Sequence, residues 1–409
     1  MLCAMTADTP KTAAELGLMR GSPPPPDKRV TFWNWETPPF NRWSFQHVAA
    51  FVRTARVWRG EGPVSRFERR PVRLDDLMLE TAAGEQVTVA DVLRRTCTDG
   101  FLVLHEGRIV AEEYCNGMTP ATRHLLMSVS KSIIGMLAGI VIGRGALSVD
   151  DLVTDVVTEL RGTSFEQATV RHLLDMRTGT RFSEEYDDPQ SDVCRSERVA
   201  DWAPLLPGEE SSGLYGYVPS LENARDHGGA FEYRSILTDV LGWVLARAAD
   251  ASLPELLSSA LWAPLGAEED ADMTVDRHGC PWVDGGICVT LRDLARLGQM
   301  HLQDGWLNGR QIVPAEWVRD TRTGGGDSRA AFAASAWGAT LPAAFYRNQF
   351  WVIRPEDGVY AGWGIHGQFL YIDVPAQVVI AKLSTLPRAL DREIWADQVA
   401  ALDAIAAAL

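Results

Sequence analysis

Ser128 and Lys131 stand three residues apart at the start of an apolar stretch. Apolar residues recur there at helical spacing as far as Val141, so the stretch is predicted to be a helix with one buried face. Residues three apart share one face of a helical turn, so the hydroxyl and the amine can meet. Burial would lower the pKa of the lysine and leave a neutral amine beside a nucleophilic serine. The alternative is a helix-capping serine followed by a surface lysine.

Lysine is scarce in this chain, which favours a chemical role for the one in this helix. It occurs at only four positions, 11, 28, 131 and 382, and the chain is basic mainly through arginine. A surface position would therefore more often carry arginine.

Two further segments carry groups that could complete such a site. Tyr233 and Ser235 come directly before a predicted helix over 236–248. A phenol beside an ammonium can ionise more easily and act as a general base. The glycine-rich segment 360–368 precedes a predicted strand, where backbone N–H groups could stabilise an oxyanion. Taken singly, these segments would also fit a surface tyrosine and a glycine-rich hairpin.

The remaining pattern predicts a sheet interrupted by helices. Residues 181–229 are rich in Gly, Pro, Ser and acids and are predicted to form a long loop or lid. Strands at both ends of the chain and helices between them indicate an α/β layer with a helical insertion. The predicted strands are 101–105, 108–114, 350–353, 369–373 and 377–383, and the predicted helices are 87–94, 169–176, 236–248, 253–261, 291–302 and 391–409.

The domain prediction separates an N-terminal arm from one catalytic domain. Residues 1–30 contain four consecutive prolines and are predicted to be an extended arm or linker. An aromatic stretch over 32–45 should pack on the body, where it could border a cleft or a dimer contact. The catalytic domain is predicted to span 31–409, with an α/β lobe at about 31–145 and 285–409 and a mostly helical lobe at about 146–284.

Composition narrows the class of protein. The net charge of −15 argues against nucleic acid and anionic membranes as partners. The six cysteines form no C-x-x-C pair, and no histidine or cysteine cluster has metal-ligand spacing, so no metal or cofactor is expected. Residues 1–19 lack a continuous apolar core and a basic start, so we expect no signal peptide, and the apolar run 133–142 is too short to span a bilayer. We expect a cytoplasmic protein that acts on a small molecule and could form a homodimer, with its cysteines as free thiols; disulfides remain an alternative.

Taken together, the three segments resemble the ordered motifs of the serine β-lactamase and penicillin-recognising superfamily. They are Ser128-x-x-Lys131, Tyr233-x-Ser235 and the Gly-Trp-Gly at 362–364. The segments 284–287 and 365–368 look most like the 6-aminohexanoate-dimer hydrolases and the related class C-like esterases. The resemblance covers roughly residues 85–385 and implies a β-lactamase-like fold: an antiparallel sheet flanked by helices, with an inserted mostly helical lobe, in the α/β (α+β) class.

The resemblance also implies roles for individual residues. Ser128 would be the acylated nucleophile, and Lys131 and Tyr233 would move its proton. Ser235 would assist, and the backbone N–H groups of Ser128 and Ile365 would form an oxyanion hole. The residues implied in substrate binding are Tyr186, Trp363 and His366.

The implied activity is hydrolysis of small linear amides. The alternatives are a short-chain carboxylesterase, a D-amino-acid amidase or weak β-lactamase, and a non-catalytic ligand-binding member of the family. Gly362 stands where penicillin-recognising enzymes carry Lys or His, and Asp284 stands where Asn is often found. The first departure predicts weak activity on β-lactams.

Rival enzyme classes lack their sequence signatures. No G-x-S-x-G segment indicates a Ser-His-Asp hydrolase, and no H-E-x-x-H indicates a zinc hydrolase. A non-catalytic member would be expected to lose the serine, the lysine or the tyrosine, and this chain retains all three.

Overall fold

The computed structural model describes residues 9–409. The first eight residues of the predicted arm, with Cys3, lie outside the described residues. The helices within the described range are α1 Asn41–Ser44, α2 Val89–Arg95, α3 Val129–Gly143, α4 Val153–Val156, α5 Val170–Leu174, α6 Asp192–Val199, α7 Leu214–Tyr217, α8 Ile236–Ala248, α9 Leu253–Leu257, α10 Ala263–Leu265, α11 Leu291–Leu302, α12 Ala315–Thr323, α13 Ser328–Ala333 and α14 Arg392–Ala408.

The strands form two main sheets and two short hairpins. They are β1 Thr54–Val57, β2 Glu68–Arg69, β3 Met78–Glu80, β4 Gln86–Thr88, β5 Thr98–His105, β6 Arg108–Tyr114, β7 His124–Leu125, β8 Ala271–Thr274, β9 Ile287–Val289, β10 Trp306–Leu307, β11 Arg310–Gln311, β12 Phe345–Arg347, β13 Phe350–Arg354, β14 Val359–Gly364, β15 Gln368–Asp373 and β16 Val378–Ser384.

The larger sheet has eight strands in the order β12-β13-β14-β15-β16-β5-β6-β2. All neighbours are antiparallel except β2 and β6. Successive side chains of a strand point to opposite faces, and here both faces are apolar because both are covered. Leu102 and Leu104 belong to the core that includes α3 and α11, and Phe101 and Val103 belong to the core that includes α2 and α14.

The smaller sheet has the order β1-β8-β9-β7. It positions two segments of the site. Leu125 on β7 pairs with Cys288 on β9, and Leu126 N–H donates to the Ile287 carbonyl oxygen. The segment that follows β7 begins α3, and the segment that precedes β9 contains Asp284. This pairing therefore brings two distant parts of the chain to one place.

Helix α3 is buried on every side. Each residue from Val129 to Val141 is buried, so the sequence prediction of one buried face understates its burial. A helix that is apolar all round is expected to lie inside the protein. Gly135 permits this packing because a Cβ there would lie 2.1 Å from the Asn348 carbonyl oxygen.

Two segments differ from their sequence predictions. The predicted loop over 181–229 contains α6 and α7; Ser191 caps α6, and Val193 and Val199 are buried. Short helices of this kind are stabilised by packing more than by propensity, which a Gly- and Pro-rich composition hides. In the predicted arm, Leu18 is 3% exposed, and Ala13 N–H donates to Asn116 Oδ1 at 2.7 Å. From residue 9 onward the segment therefore lies against the body.

Candidate active site

Ser128 stands at the N-terminal end of α3 on a strained turn. The preceding residue, Met127, has a φ of 47°, which lies in the left-handed region where non-glycine residues are uncommon. Backbone strain of this kind persists only when the surrounding packing maintains it, and it clusters at functional sites. The Ser128 hydroxyl does not cap the helix. It is therefore available to the cleft.

Lys131 lies one helical turn after Ser128 and is 2% exposed. Its Nζ donates to Ser128 Oγ at 2.9 Å and to the Asp284 carbonyl oxygen at 2.6 Å. Nζ also lies 5.4 Å from the centroid of the Tyr233 ring. The alternative of a capping serine and a surface lysine is therefore wrong.

Tyr233, just before α8, completes the cluster. Its ring stacks on Trp351 with centroids 5.4 Å apart and planes at 26°. Ser128 and Tyr233 line the same cavity, and the Ser128 hydroxyl is close enough to lower the pKa of the phenol. The structure thus brings together the three groups that the sequence singles out.

The charge state of Lys131 differs from the sequence expectation. Burial, the largest single influence, lowers its pKa as predicted. Negative groups around it outweigh burial, so the pKa of Lys131 is raised. The expectation of a neutral amine is therefore wrong for the unliganded site, because the acidic neighbours were not visible in the local sequence. The groups that raise it are Tyr233, Asp284, Glu184 and Asp239.

Tyr233, in contrast to the charged Lys131, is neutral at rest. Burial raises its pKa and outweighs the lowering effect of the Lys131 ammonium. The expectation of a net lowered tyrosine pKa is wrong, although Lys131 acts in the predicted direction. A base strong enough to accept the serine proton arises when this lysine–tyrosine pair loses a proton.

Ser235 and Tyr186 are both held by one carboxylate, Glu184. Glu184 accepts hydrogen bonds from the Ser235 backbone N–H at 2.9 Å, from the Ser235 hydroxyl, and from the Tyr186 hydroxyl at 2.8 Å. Burial and Glu184 raise the pKa of Tyr186 well above its ordinary value, so the phenol stays protonated. Tyr186 lines the cleft next to Ser128. Ser235 instead directs its hydroxyl to Glu184.

The end of strand β14 lies against the start of α3. A Cβ on Gly364 would lie 2.7 Å from the Leu126 carbonyl oxygen and 3.0 Å from the Ser128 backbone nitrogen. Only glycine allows so close an approach. Ile365, the next residue, lines the cleft beside Ser128. The proximity of strand end and serine amide fits the predicted oxyanion hole.

The His366 side chain is held mainly by contacts within the fold. It is 7% exposed and has a φ of 60°. Its Nδ1 hydrogen-bonds to the Leu386 carbonyl oxygen at 2.7 Å, and its ring meets the Phe45 ring edge to face. Burial lowers its pKa to about 4, so the imidazole is neutral near pH 7.

Two cavities meet at Ser128. The first, which we term the aromatic cavity, has a volume of about 480 Å³. The second, which we term the acidic cavity, has a volume of about 270 Å³. Ser128, Tyr186 and Ile365 line both. The aromatic cavity is walled by Phe231, Tyr233, Trp337, Trp351 and Trp363, and the acidic cavity by Glu36, Glu197, Trp202, Trp282 and Asp284.

Carboxylates supply the site features that sequence reasoning missed. Burial raises the pKa of Glu36 to about 8, and burial together with Glu36 raises that of Glu197 well above its usual range. Glu184 and Asp239 also surround Lys131. Each lies in a different segment from the nucleophile. No sequence pattern links these carboxylates to one another, apart from the acidic run around Tyr186.

Within the described residues, no three or more His, Cys, Asp or Glu side chains are grouped so that they could hold a metal ion. Residues 9–409 also contain no helix with the length and apolar character needed to cross a membrane.

Comparison with known proteins identifies the family. The beta-lactamase family profile matches residues 94–404. The 6-aminohexanoate-dimer hydrolase of Paenarthrobacter ureafaciens is 37% identical over 388 residues, covering 92% of this chain and 95% of that protein. A solved Bacillus anthracis structure assigned to the 6-aminohexanoate-dimer hydrolases has a TM-score of 0.84 at 26% identity and covers 92% of this chain and 96% of its own. A family VIII carboxylesterase shares the fold, with a TM-score of 0.58 at 14% identity over 77% of this chain and 96% of its own.

The chain belongs to the beta-lactamase family, and it is a hydrolase. Within that family it is similar to proteins named 6-aminohexanoate-dimer hydrolases. The predicted resemblance and the β-lactamase-like fold are therefore confirmed.

Proposed function

We propose that this hydrolase cleaves small linear amides through an acyl-enzyme on Ser128. The observation that carries the proposal is the position of Ser128, hydrogen-bonded to Lys131 and close to Tyr233 where the two cavities meet. A linear substrate could lie through both cavities with its scissile carbonyl at the serine. The similarity to 6-aminohexanoate-dimer hydrolase supports an amide as the bond that is broken.

The proposed reaction uses side chains and backbone N–H groups of the site together with one water molecule. Ser128 Oγ attacks the carbonyl carbon while its proton passes to the Lys131–Tyr233 pair. The backbone N–H groups of Ser128 and Ile365 stabilise the oxyanion. Collapse of the tetrahedral intermediate breaks the C–N bond, and the pair returns the proton to the leaving amine. Water then attacks the ester, and its proton goes to Ser128 Oγ through the same pair.

The acidic cavity supports a substrate that carries an ammonium group. Glu36 and Glu197 are half-buried carboxyls that line this cavity. A bound cation would favour ionisation of the two carboxyls and form charge-assisted hydrogen bonds with them. The apolar walls of the aromatic cavity suit the methylene chain on the other side of the amide.

A substrate panel tests the proposal against its alternatives. It contains a linear aminohexanoate dimer, its N-acetylated form, a p-nitrophenyl ester and a D-amino-acid amide. We expect the highest kcat/KM for the unmodified dimer among the amides. Turnover of the ester with no amide turnover would replace the proposal with a short-chain carboxylesterase. Turnover of none, with binding retained, would indicate a ligand-binding protein.

Glu197→Gln should weaken binding of the ammonium end. We expect KM for the linear dimer to rise by about tenfold or more, because the cation loses a charged partner in the cavity. KM for the uncharged ester should change little. An equal rise for both substrates would show that Glu197 shapes the cavity without recognising charge.

The same cavity predicts a pH dependence of binding. The pKa of Glu36 is raised to about 8, so its carboxylate forms as pH rises through that value. An aliphatic ammonium titrates only near pH ~10.4, so it remains charged there. KM for the dimer should therefore fall as pH rises from slightly acidic to about 8, whereas KM for the N-acetylated dimer should stay flat. Parallel pH profiles for the two substrates would contradict this assignment.

β-Lactams should be poor substrates. Gly362 offers no cation for a β-lactam carboxylate, and a Cβ there would lie 2.8 Å from Ser132 Oγ. Of the arginines at the aromatic cavity, Arg234 pairs with Glu232 and Arg392 lies over the Trp337 ring. We expect kcat/KM for nitrocefin to fall well below that for the best amide or ester. Comparable values would refute the expectation.

A further inference from the structure

Two buried aspartates face each other behind Lys131. Asp239 lies in α8 and is 1% exposed, and Asp284 precedes β9 and is 3% exposed. The Asp284 backbone N–H donates to Asp239 Oδ1, and the Asp284 carboxyl raises the pKa of Asp239, so the two side chains are close neighbours. Lys131 donates to the Asp284 backbone carbonyl oxygen, so the pair lies directly beside the ammonium.

The hydrogen bonds of the pair leave one oxygen on each side chain without a donor. Asp239 Oδ1 accepts from the backbone N–H groups of Val283 at 2.8 Å and Asp284 at 3.1 Å. Asp284 Oδ1 accepts from Trp282 Nε1. The Oδ2 atoms of both aspartates are buried and have no donor among the described residues. Two ionised carboxylates in this arrangement would repel each other and leave two acceptors unsatisfied, which is strongly unfavourable.

We propose that Asp239 and Asp284 share a single proton, and that the singly charged pair is a positioning element that keeps Lys131 as an ammonium. One proton between the two carboxyls satisfies both unpaired oxygens and removes the repulsion. The remaining negative charge balances the lysine. The proposal rests on the catalytic role proposed for Lys131.

The pair is not the only charged group near the lysine, so its contribution must be separated from the others. Glu184 acts on Lys131 from the segment before α6, and Glu197 acts on the pair from α6. Glu36 shares the acidic cavity with Asp284. The groups that face the pair or its lysine are Lys131, Tyr186, Tyr233, Glu184, Glu197 and Glu36.

Asparagine substitutions distinguish the charge states of the pair. Asparagine has the shape of a protonated aspartate and can donate to the facing carboxylate. Asp239→Asn and Asp284→Asn, made singly, each leave one carboxylate and therefore keep the charge of a pair with one shared proton. The double variant removes that charge.

The readout is the pH profile of kcat/KM, which reports the free enzyme, measured on the neutral ester so that ammonium binding does not contribute. We expect its rising limb to stay near its original position in both single variants. In the double variant it should move to lower pH by about one to three units, because an opposite charge near Lys131 is lost. A shift already present in each single variant would show that both aspartates are ionised. No shift in the double variant would show that the pair carries no charge that acts on Lys131.

Infrared spectroscopy supplies a test that does not depend on catalysis. The difference spectrum between the original protein and either single variant should contain the band of one buried, protonated carboxyl that shifts in D₂O. Its absence from both difference spectra would overturn the shared proton, even if the double variant failed to fold. If the carboxyl band is present but Lys131→Ala keeps full activity, the shared proton is supported and the role proposed for the lysine is refuted.

Discussion

Replacing Ser128 with alanine should lower kcat on every substrate by about 10⁴- to 10⁶-fold. Loss of the nucleophile removes the acyl-enzyme route, and the binding groups alone leave only a small residual rate. The fold should survive because the hydroxyl does not cap α3 and the residue has a small side chain. Lys131 would keep its hydrogen bond to the Asp284 carbonyl oxygen. The measurement is kcat on the best amide and on the ester, with the thermal midpoint recorded in parallel.

Covalent labelling identifies the nucleophile directly. A fluorophosphonate should add one label to the peptide that contains residue 128, and Ser128→Ala should abolish that label. Ser132→Ala is the matched control, because Ser132 lies in the same helix and donates to the Gln349 carbonyl oxygen at 2.8 Å. It should still accept the label. Labelling at another serine, or unchanged turnover in Ser128→Ala, would contradict the proposed nucleophile.

The structural features that the sequence predicted best are those that depend on local spacing. The i,i+3 contact of Ser128 and Lys131 follows from helical geometry, and the β5–β6 hairpin follows from two apolar runs joined at Glu106 and Gly107. Such features require no knowledge of distant residues.

Features that depend on residues distant in the sequence could not be predicted from it. The pKa of Lys131 is raised because acidic groups from three separate segments surround it, and local spacing could only suggest the effect of burial. Asp239 and Asp284 form a pair only because α8 packs behind the loop before β9. The helices in the predicted loop over 181–229 are likewise stabilised by burial of residues such as Val193.

Tyr233→Phe should lower kcat by about two to four orders of magnitude, the usual contribution of a positioned acid–base group. The substitution removes only the phenolic hydroxyl, whose pKa is lowered by the neighbouring Ser128 hydroxyl. The ring would keep its stacking on Trp351, so the loss of stability should be small. KM should change less than kcat, since the hydroxyl acts on the proton of the nucleophile.

A histidine variant separates this mechanism from one based on imidazole. The neutral His366 ring is bound to the Leu386 carbonyl oxygen, so its replacement should act mainly on stability and substrate binding. His366→Asn is the better comparison than His366→Ala, because asparagine tolerates the φ of 60° and can still donate to that carbonyl. We expect His366→Asn to retain kcat within about tenfold, well above the Tyr233→Phe value. If Tyr233→Phe kept a normal kcat while a folded His366→Asn lost it, the proton of Ser128 would have to pass through the histidine, and the proposed Ser-Lys-Tyr centre would be wrong.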